Sequence, residues 1–249
     1  QRQMCIRDRY MLGGEGERAI ALPSPFDREK ALKLIATDVS TRYQHRERSY
    51  EKICEYIRKV SQGKVGNYMV FFPSYKYMKD VHAYFISHYE GYDICMQDTS
   101  MNEESREAFL SQFEVNPVKT KIGFCVLGGI FSEGIDLTED RLIGVLVVSV
   151  GLPQIGLEKD LIKYHFEEQG KDGYHYAYTY PGMNKVLQAV GRLIRTEKDE
   201  GVIVLIDDRF NSPLYSSLMP LELSDRKCVH LGQVEEIVEK FWTQKTPLL

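Results

Sequence analysis

Two arginines stand three residues apart in QAVGRLIRTEKDEGVIVLIDDRF, which runs from Gln188 to Phe210. On a helix, at about 100° per residue, Gln188, Arg192 and Arg195 share one face. Leu187, Val190 and Ile194 fall on the other side and can pack inward. Gly191 between them lets another group approach the backbone. Adjacent like charges favour an anion, and the guanidinium fork matches phosphate oxygens. The same residues also fit a solvated helix face, or a pair salt-bridged to Glu197 and Asp199. Asp199-Glu200-Gly201 then reads as a turn and Val202 to Ile206 as a buried strand.

A second stretch, VLGGIFSEGIDL from Val126 to Leu137, follows an apolar run. Gly128, Gly129 and Gly134 allow unusual dihedrals and can turn backbone N–H groups toward a phosphate. Ser132 adds a hydroxyl, and Glu133 and Asp136 add carboxylates. Gly129 and Gly134 have the glycine spacing of a P-loop, but Ile135-Asp136 follows where Lys-Ser/Thr is required. The loop is therefore not a Walker A motif, and none occurs elsewhere in the chain. A plain glycine-rich surface turn is the alternative.

The elements that position these residues follow from periodicity and punctuation. LKLIATDVS, NYMVFFPS, YDICMQ, KIGFCVLGG, LIGVLVVSV and VIVLI read as strands. Helices are expected over 47–62, 75–89, 102–114 with Asn102 as N-cap, 157–169, 183–195 and 232–243. Short, continuously apolar strands alternating with helices indicate a mostly parallel sheet covered on both faces, an α/β fold. Ligands of such sheets sit at the carboxyl ends of the strands. Tyr174, Tyr176, Tyr178 and Tyr180 alternate as a strand with one aromatic face would, with core packing favoured over base stacking. The basic run Arg42, Arg46, Arg48, Lys52, Arg58 and Lys59, interleaved with Glu47, Glu51 and Glu55, suggests i,i+4 pairs on an exposed helix.

The 249 residues carry a formal charge of −4, which gives no whole-protein case for nucleic-acid binding but leaves room for a local basic groove. No apolar run approaches the roughly 18 residues that span a membrane. With no secretory pattern at the start, the cytoplasm is the expected location. The five cysteines have no CxxC spacing, so buried free thiols are expected rather than a metal site or a disulfide framework. The histidines are scattered and receive no role. Residues 1–9, QRQMCIRDR, fit nothing downstream and read as non-native. Residues 10–30 read as an extended lead-in, and 31–249 as one domain.

With FFPSY (Phe71 to Tyr75), the two stretches resemble motifs IV, V and VI of the second motor domain of superfamily 2 helicases of the XPD/DinG type. The resemblance spans roughly residues 20 to 245 and includes SPFD near the start. QAVGRLIR, with Leu193 and Ile194 between the arginines and Ala189 after the glutamine, sets it apart from DEAD-box and DEAH-type sequences. The resemblance implies a RecA-like domain that closes on a first motor domain, with ATP in the cleft between them and single-stranded DNA across both. It implies that Arg192 and Arg195 reach the γ-phosphate, one as the arginine finger. Gln188 would place nucleotide or water, and Gly134, Asp136 and Gly191 would line the nucleotide side. Ser132 and Glu133, with Gly128 and Gly129, would couple the cleft to DNA. Ser74 and Tyr75 would touch the DNA backbone, or Tyr75 would stack on a base. Asp208 and Arg209 read as structural. A 5′→3′ polarity follows from resemblance alone.

The chain departs from the family in having no Walker A motif, no DExx box and none of the four closely spaced cysteines of an iron–sulfur cluster. ATP with Mg²⁺, and any such cluster, would then be held mainly by a first motor domain supplied in cis or in trans. The expectation is a fragment or half-motor that is inactive alone. Two other readings stand beside it: a non-catalytic nucleic-acid-binding or interaction module of RecA-like shape, and a piece of an RNA helicase.

Overall fold

Among the described residues, every strand except the short edge strand Lys227–Val229 sends side chains of alternating parity into two separate apolar clusters. In the strand Gly201–Ile206, Val202, Val204 and Ile206 face one cluster, and Ile203 and Leu205 the other. In Asn67–Phe72 the split is Tyr68, Val70 and Phe72 against Met69 and Phe71. A strand buried on both faces must be apolar throughout, which is why these runs show no polar alternation.

The computed structural model describes residues 27–131, 137 and 139–245. In chain order they form β1 (Ala31–Ala36), α1 (Arg46–Gln62), β2 (Asn67–Phe72), α2 (Tyr75–His88), β3 (Asp93–Met96), α3 (Glu103–Ser111) and β4 (Lys121–Val126). Then come β5 (Gly144–Val148), α4 (Leu157–Glu168), α5 (Tyr180–Val190), β6 (Gly201–Ile206), α6 (Pro213–Ser217), β7 (Lys227–Val229) and α7 (Val234–Lys245). The strands pair in the order β3-β4-β2-β5-β6-β1-β7, every pair parallel. Helices α1, α2 and α7 pack with one cluster, and α3 and α5 with the other. The expected α/β architecture, a parallel sheet with helices on both faces, is the one the chain forms. Among the described residues no helix is long and apolar enough to cross a membrane.

One helix cap, at Asn102, was expected from the sequence, and a second forms at Ser74. Ser74 caps α2 by accepting from the Tyr77 N–H at 3.3 Å, and Asn102 caps α3 by accepting from Ser105 at 2.8 Å. Cys54, Cys95 and Cys125 are buried free thiols, and burial pushes the Cys95 thiol up to about 12.

Four expectations are corrected. The arginine helix is not 183–195: α5 runs Tyr180–Val190, and Gly191 is its C-cap, donating to the Leu187 carbonyl at 2.9 Å. Arg192 and Arg195 therefore lie beyond the helix, because glycine ends it where a periodicity count would run on. The tyrosines at 174–180 do not form a strand. His175–Thr179 is a π-helical turn leading into α5, in which the Tyr180 N–H bonds to the His175 carbonyl. Pro181, having no N–H, sits directly after it, where the extra residue of a π-turn absorbs the lost rung. The tyrosines meet as helical neighbours: Tyr174 on Tyr178 at 5.0 Å and Tyr176 on Tyr180 at 5.2 Å.

The basic run is also not mainly laced along its own helix. Arg58 pairs with Glu55, but Arg42 pairs with Asp208, Lys52 with Asp38 and Lys59 with Glu235. Lastly, the end of the lead-in is not extended, since Arg28–Lys30 form a 3₁₀ turn.

Helix α5 runs antiparallel to the strands beneath it. Near its start, a Cβ on Gly182 would lie 2.7 Å from the Val150 carbonyl oxygen and 3.1 Å from the Gly151 carbonyl carbon. Both contacts are backbone and cannot rotate away. Gly182→Ala is expected to destabilise the chain by about 1–3 kcal/mol through this overpacking, read as a lower urea midpoint at unchanged slope.

Candidate functional site

The carboxyl ends of the strands open into a groove of about 1510 Å³. Its lining carries seven basic side chains against three acidic ones: Arg42, Arg46, Arg48, Lys76, Lys163, Lys185 and Arg209 face Glu47, Asp80 and Asp160. Arg42, Lys76, Lys163 and Arg209 are ion-paired with Asp208, Asp80, Glu167 and Asp207, so the basic excess of the lining is small and rests on Arg46, Arg48 and Lys185; those cations can still meet phosphates. Aromatic rings stand among the charges. Tyr43 is 85% exposed, and the Arg46 guanidinium lies 5.6 Å from its ring centroid and 5.0 Å from that of Tyr77. Tyr174 and Tyr178 also line the groove.

The sequence-selected residues of motif IV lie in this groove. Ser74 lines it while its hydroxyl caps α2. Tyr75 lines it with its ring partly packed on the core, and its hydroxyl accepts from Gln97 Nε2 at 2.9 Å. Burial raises that hydroxyl above the ordinary tyrosine range. Gly128 and Gly129 follow β4. Gly128 has φ of +71°, and a Cβ there would lie 2.8 Å from Lys185 of α5. A Cβ on Gly129 would lie 2.9 Å from Gln97 Nε2. Gly128 is required by its positive φ, since the Lys185 side chain could move aside, and Gly129 by the close approach of the buried Gln97 amide.

A buried ion pair stiffens the groove floor. Asp207 is fully buried and accepts from Arg209 Nε at 2.7 Å and Nη2 at 2.9 Å, and from the Thr41 backbone at 3.1 Å. It also accepts from the Arg209 backbone N–H at 2.9 Å and from the Thr41 hydroxyl. Arg209 also donates to Ser149 Oγ at 3.3 Å, so the exits of β5, β6 and β1 are tied together. Burial opposes charge on Asp207, but the hydrogen bonds from Arg209 and Thr41 outweigh it and hold the carboxyl below its usual range. Asp208 pairs at 2.6 Å with Arg42. Both residues after the strand therefore have structural partners.

The arginine residues occupy the other end of α5. Gln188 sits half-buried in its last turn. Past Gly191, the Arg192 N–H donates to Ala189 and the Leu193 N–H to Val190, both at 3.2 Å. Leu193 is buried beside Gly201, at the amino end of β6. The buried Asp199 carboxylate accepts from the backbone N–H groups of Arg195 and Thr196, each at 2.6 Å. Arg192 and Arg195 are thus carried half-exposed on a short turn, plugged by Leu193 and clamped by Asp199.

Ser74, Tyr75, Gly128 and Gly129 gather at the carboxyl end of the sheet. Gln188, Gly191, Arg192 and Arg195 gather toward the amino end. Ser132, Glu133, Gly134 and Asp136 lie outside the described residues. The flanking Phe131 and Leu137 share an apolar cluster with Met183, Val186 and Leu193. Sequence reasoning missed Gln97, Lys185 and Asp207, and named Asp199 as a side-chain partner of the arginines rather than a clamp on their backbone. For Gln97 and Asp207 a signal existed: each is a polar residue directly following an apolar strand. Lys185 had none, since its role depends on which loop crosses α5.

Residues 57–226 match the family model described as the helicase C-terminal domain. The chain is similar to "Probable ATP-dependent helicase MJ0942" of Methanocaldococcus jannaschii, 28% identical over 207 residues, covering 77% of this chain and 31% of the relative. It is also similar to the ATP-dependent DNA helicase DinG of Photobacterium profundum, 27% identical over 217 residues, covering 84% of this chain and 30% of the relative. A solved XPD helicase structure shares the fold with a TM-score of 0.62 at 20% identity, over 80% of this chain and 35% of that one. The chain spans about a third of the length of the curated relatives it matches.

The Asp207–Arg209 pair carries a pH signature. A depressed carboxyl stabilises the fold above the unfolded value near ~3.9, and that contribution is lost as pH falls through the lower folded value. Asp207→Ala is expected to cost about 3–5 kcal/mol at pH 7, by leaving Arg209 buried without its counter-charge. The gap between wild type and variant should narrow below about pH 4, as urea unfolding at each pH will read.

Proposed function

The chain belongs to the helicase C-terminal domain family, and from that premise we propose that it is the second motor domain of an ATP-dependent DNA helicase of the XPD/DinG type. In this reading single-stranded DNA lies in the basic groove at the strand carboxyl ends, its phosphates met by Lys76, Lys163 and Lys185 and its backbone by Ser74 and Tyr75. By the resemblance, Gly128 and Gly129, with Ser132 and Glu133, would couple the nucleotide side to DNA.

The arginine turn faces a nucleotide held by the first motor domain. Arg192 and Arg195 neutralise charge that develops on the γ-phosphate oxygens, one of them as the arginine finger. Gln188 orients nucleotide or water, and Gly134, Asp136 and Gly191 line the same side. ATP brings the phosphoanhydride bond that is cleaved. The sequence has neither the Walker A nor the DExx motif that would hold ATP with Mg²⁺, and the resemblance assigns those ligands mainly to the first motor domain. Translocation and unwinding, with 5′→3′ polarity, belong to the assembled pair of domains.

The observation that carries this reading is the single helix that serves both regions. Lys185 of α5 meets Gly128 at the groove, and the helix ends at the arginine turn. From Lys185 to Val190 is about 8 Å of rigid helix. Domain closure that moves the turn must therefore move the groove wall with it.

The finger role is tested in the complete two-domain enzyme. Arg192→Ala is expected to lower ATP turnover about a thousandfold or more while nucleotide binding persists. The 249-residue chain alone is expected to show no DNA-stimulated hydrolysis. Normal turnover by the variant would remove Arg192 from the finger role, and robust hydrolysis by the isolated chain would refute the half-motor reading.

A further inference from the structure

Strand β3 ends one rung before its neighbour β4. The last backbone bond of this edge runs from the Gln97 N–H to the Phe124 carbonyl at 2.8 Å. The next N–H of β4 facing this edge, that of Val126, finds a side chain instead, Gln97 Oε1 at 2.9 Å. The other end of the same amide, Nε2, donates to the Tyr75 hydroxyl at 2.9 Å. Gln97 is 1% exposed. Both ends of its amide are spent on two elements that do not otherwise share a hydrogen bond at this point: the exit of β4 and the first residue of α2.

The partners give this cross-link its meaning. Tyr75 lines the groove. Val126 is the last residue of β4, and the chain turns immediately into Gly128 and Gly129, with the Gly129 N–H bonded back to the Val126 carbonyl at 3.2 Å. Gly129 packs so close to the amide that a Cβ would lie 2.9 Å from Nε2 and 3.5 Å from Oε1. A shift of the Tyr75 hydroxyl must therefore move the amide. The amide in turn must move either the Val126 N–H or the backbone of Gly129. A buried amide that loses either partner bears the full cost of the unmade bond, so the link is stiff in both directions.

We infer that Gln97 is a positioning residue that couples occupancy of the groove at Tyr75 to the loop leaving β4. The inference rests on the reading of that groove as the single-stranded DNA site and of that loop as its connection to the nucleotide. Gln97 touches neither ligand; it acts through Tyr75 on one side and through Val126 and Gly129 on the other. Its loss should therefore leave DNA affinity nearly intact and reduce what bound DNA does to turnover.

The test uses the complete enzyme and a single-stranded oligonucleotide. Gln97→Leu keeps the size and loses both polar ends; Tyr75→Phe removes only the hydroxyl. For Gln97→Leu, the DNA-stimulated kcat for ATP is expected to fall about tenfold, while the oligonucleotide concentration giving half-stimulation moves less than about twofold. Tyr75→Phe should lower kcat in the same way, and the double variant should be no worse than the more damaging single one. Thermal melts establish that the variants are folded; if Gln97→Leu does not fold, Tyr75→Phe carries the kcat test alone. A folded variant with stimulated kcat within about twofold of wild type, or losses that add in the double variant, would overturn the inference. A wild type that DNA does not stimulate would overturn the groove assignment, and this inference with it.

Discussion

Helix α5 lies against the sheet with backbone touching backbone. Gly182 and Gly151 approach so closely that neither position has room for a side chain, and Gly151 holds φ of +66° to permit it. This contact sets where the helix begins relative to the carboxyl ends of the strands. Leu193, buried beside Gly201, sets where the chain beyond it stops at their amino ends. Between those two points the helix length is fixed at 1.5 Å per residue. The distance from the groove wall to the arginine turn is then a property of the helix rather than of any loop.

The two ends are built from different materials. At the groove, polar side chains are buried and paired: Asp207 with Arg209 and Thr41, and Gln97 with Val126 and Tyr75. They stand where strands end and the backbone needs partners that the ladder no longer supplies. At the arginine turn the backbone is held instead, by Asp199 and by the final tightened turn of α5. A clamped backbone limits the conformations open to the side chains it carries.

Much of this was legible in the sequence, for a physical reason. Strands buried on two faces must be apolar at every position, so VIVLI and NYMVFF declared themselves as runs. The start of α3 was legible from its N-cap, Asn102. The end of α5 was misread because Gly191 was weighed as a site of approach rather than as a stop. The tyrosines at 174–180 were misread because a period of two is also what i,i+4 pairs look like when every other residue is aromatic. Charge partners were illegible for a different reason: Arg42 finds Asp208 and Lys59 finds Glu235 across the fold, at separations no local pattern encodes. Ser74, Tyr75 and the arginines were singled out by type and order. The amide and carboxylate that hold them in place were not, because a single buried polar residue after a strand has no motif.

The central claim is that DNA contact and nucleotide sensing lie on opposite ends of one helix. The most direct measurement is binding of a labelled single-stranded oligonucleotide to the isolated chain, followed by fluorescence anisotropy across a salt series. Binding should weaken with salt and be largely lost when Lys76, Lys163 and Lys185 are changed to Glu. It should be unchanged when Arg192 and Arg195 are changed to Ala. Binding that survives the groove reversals, or that disappears with the two arginines, would contradict the division of labour along α5.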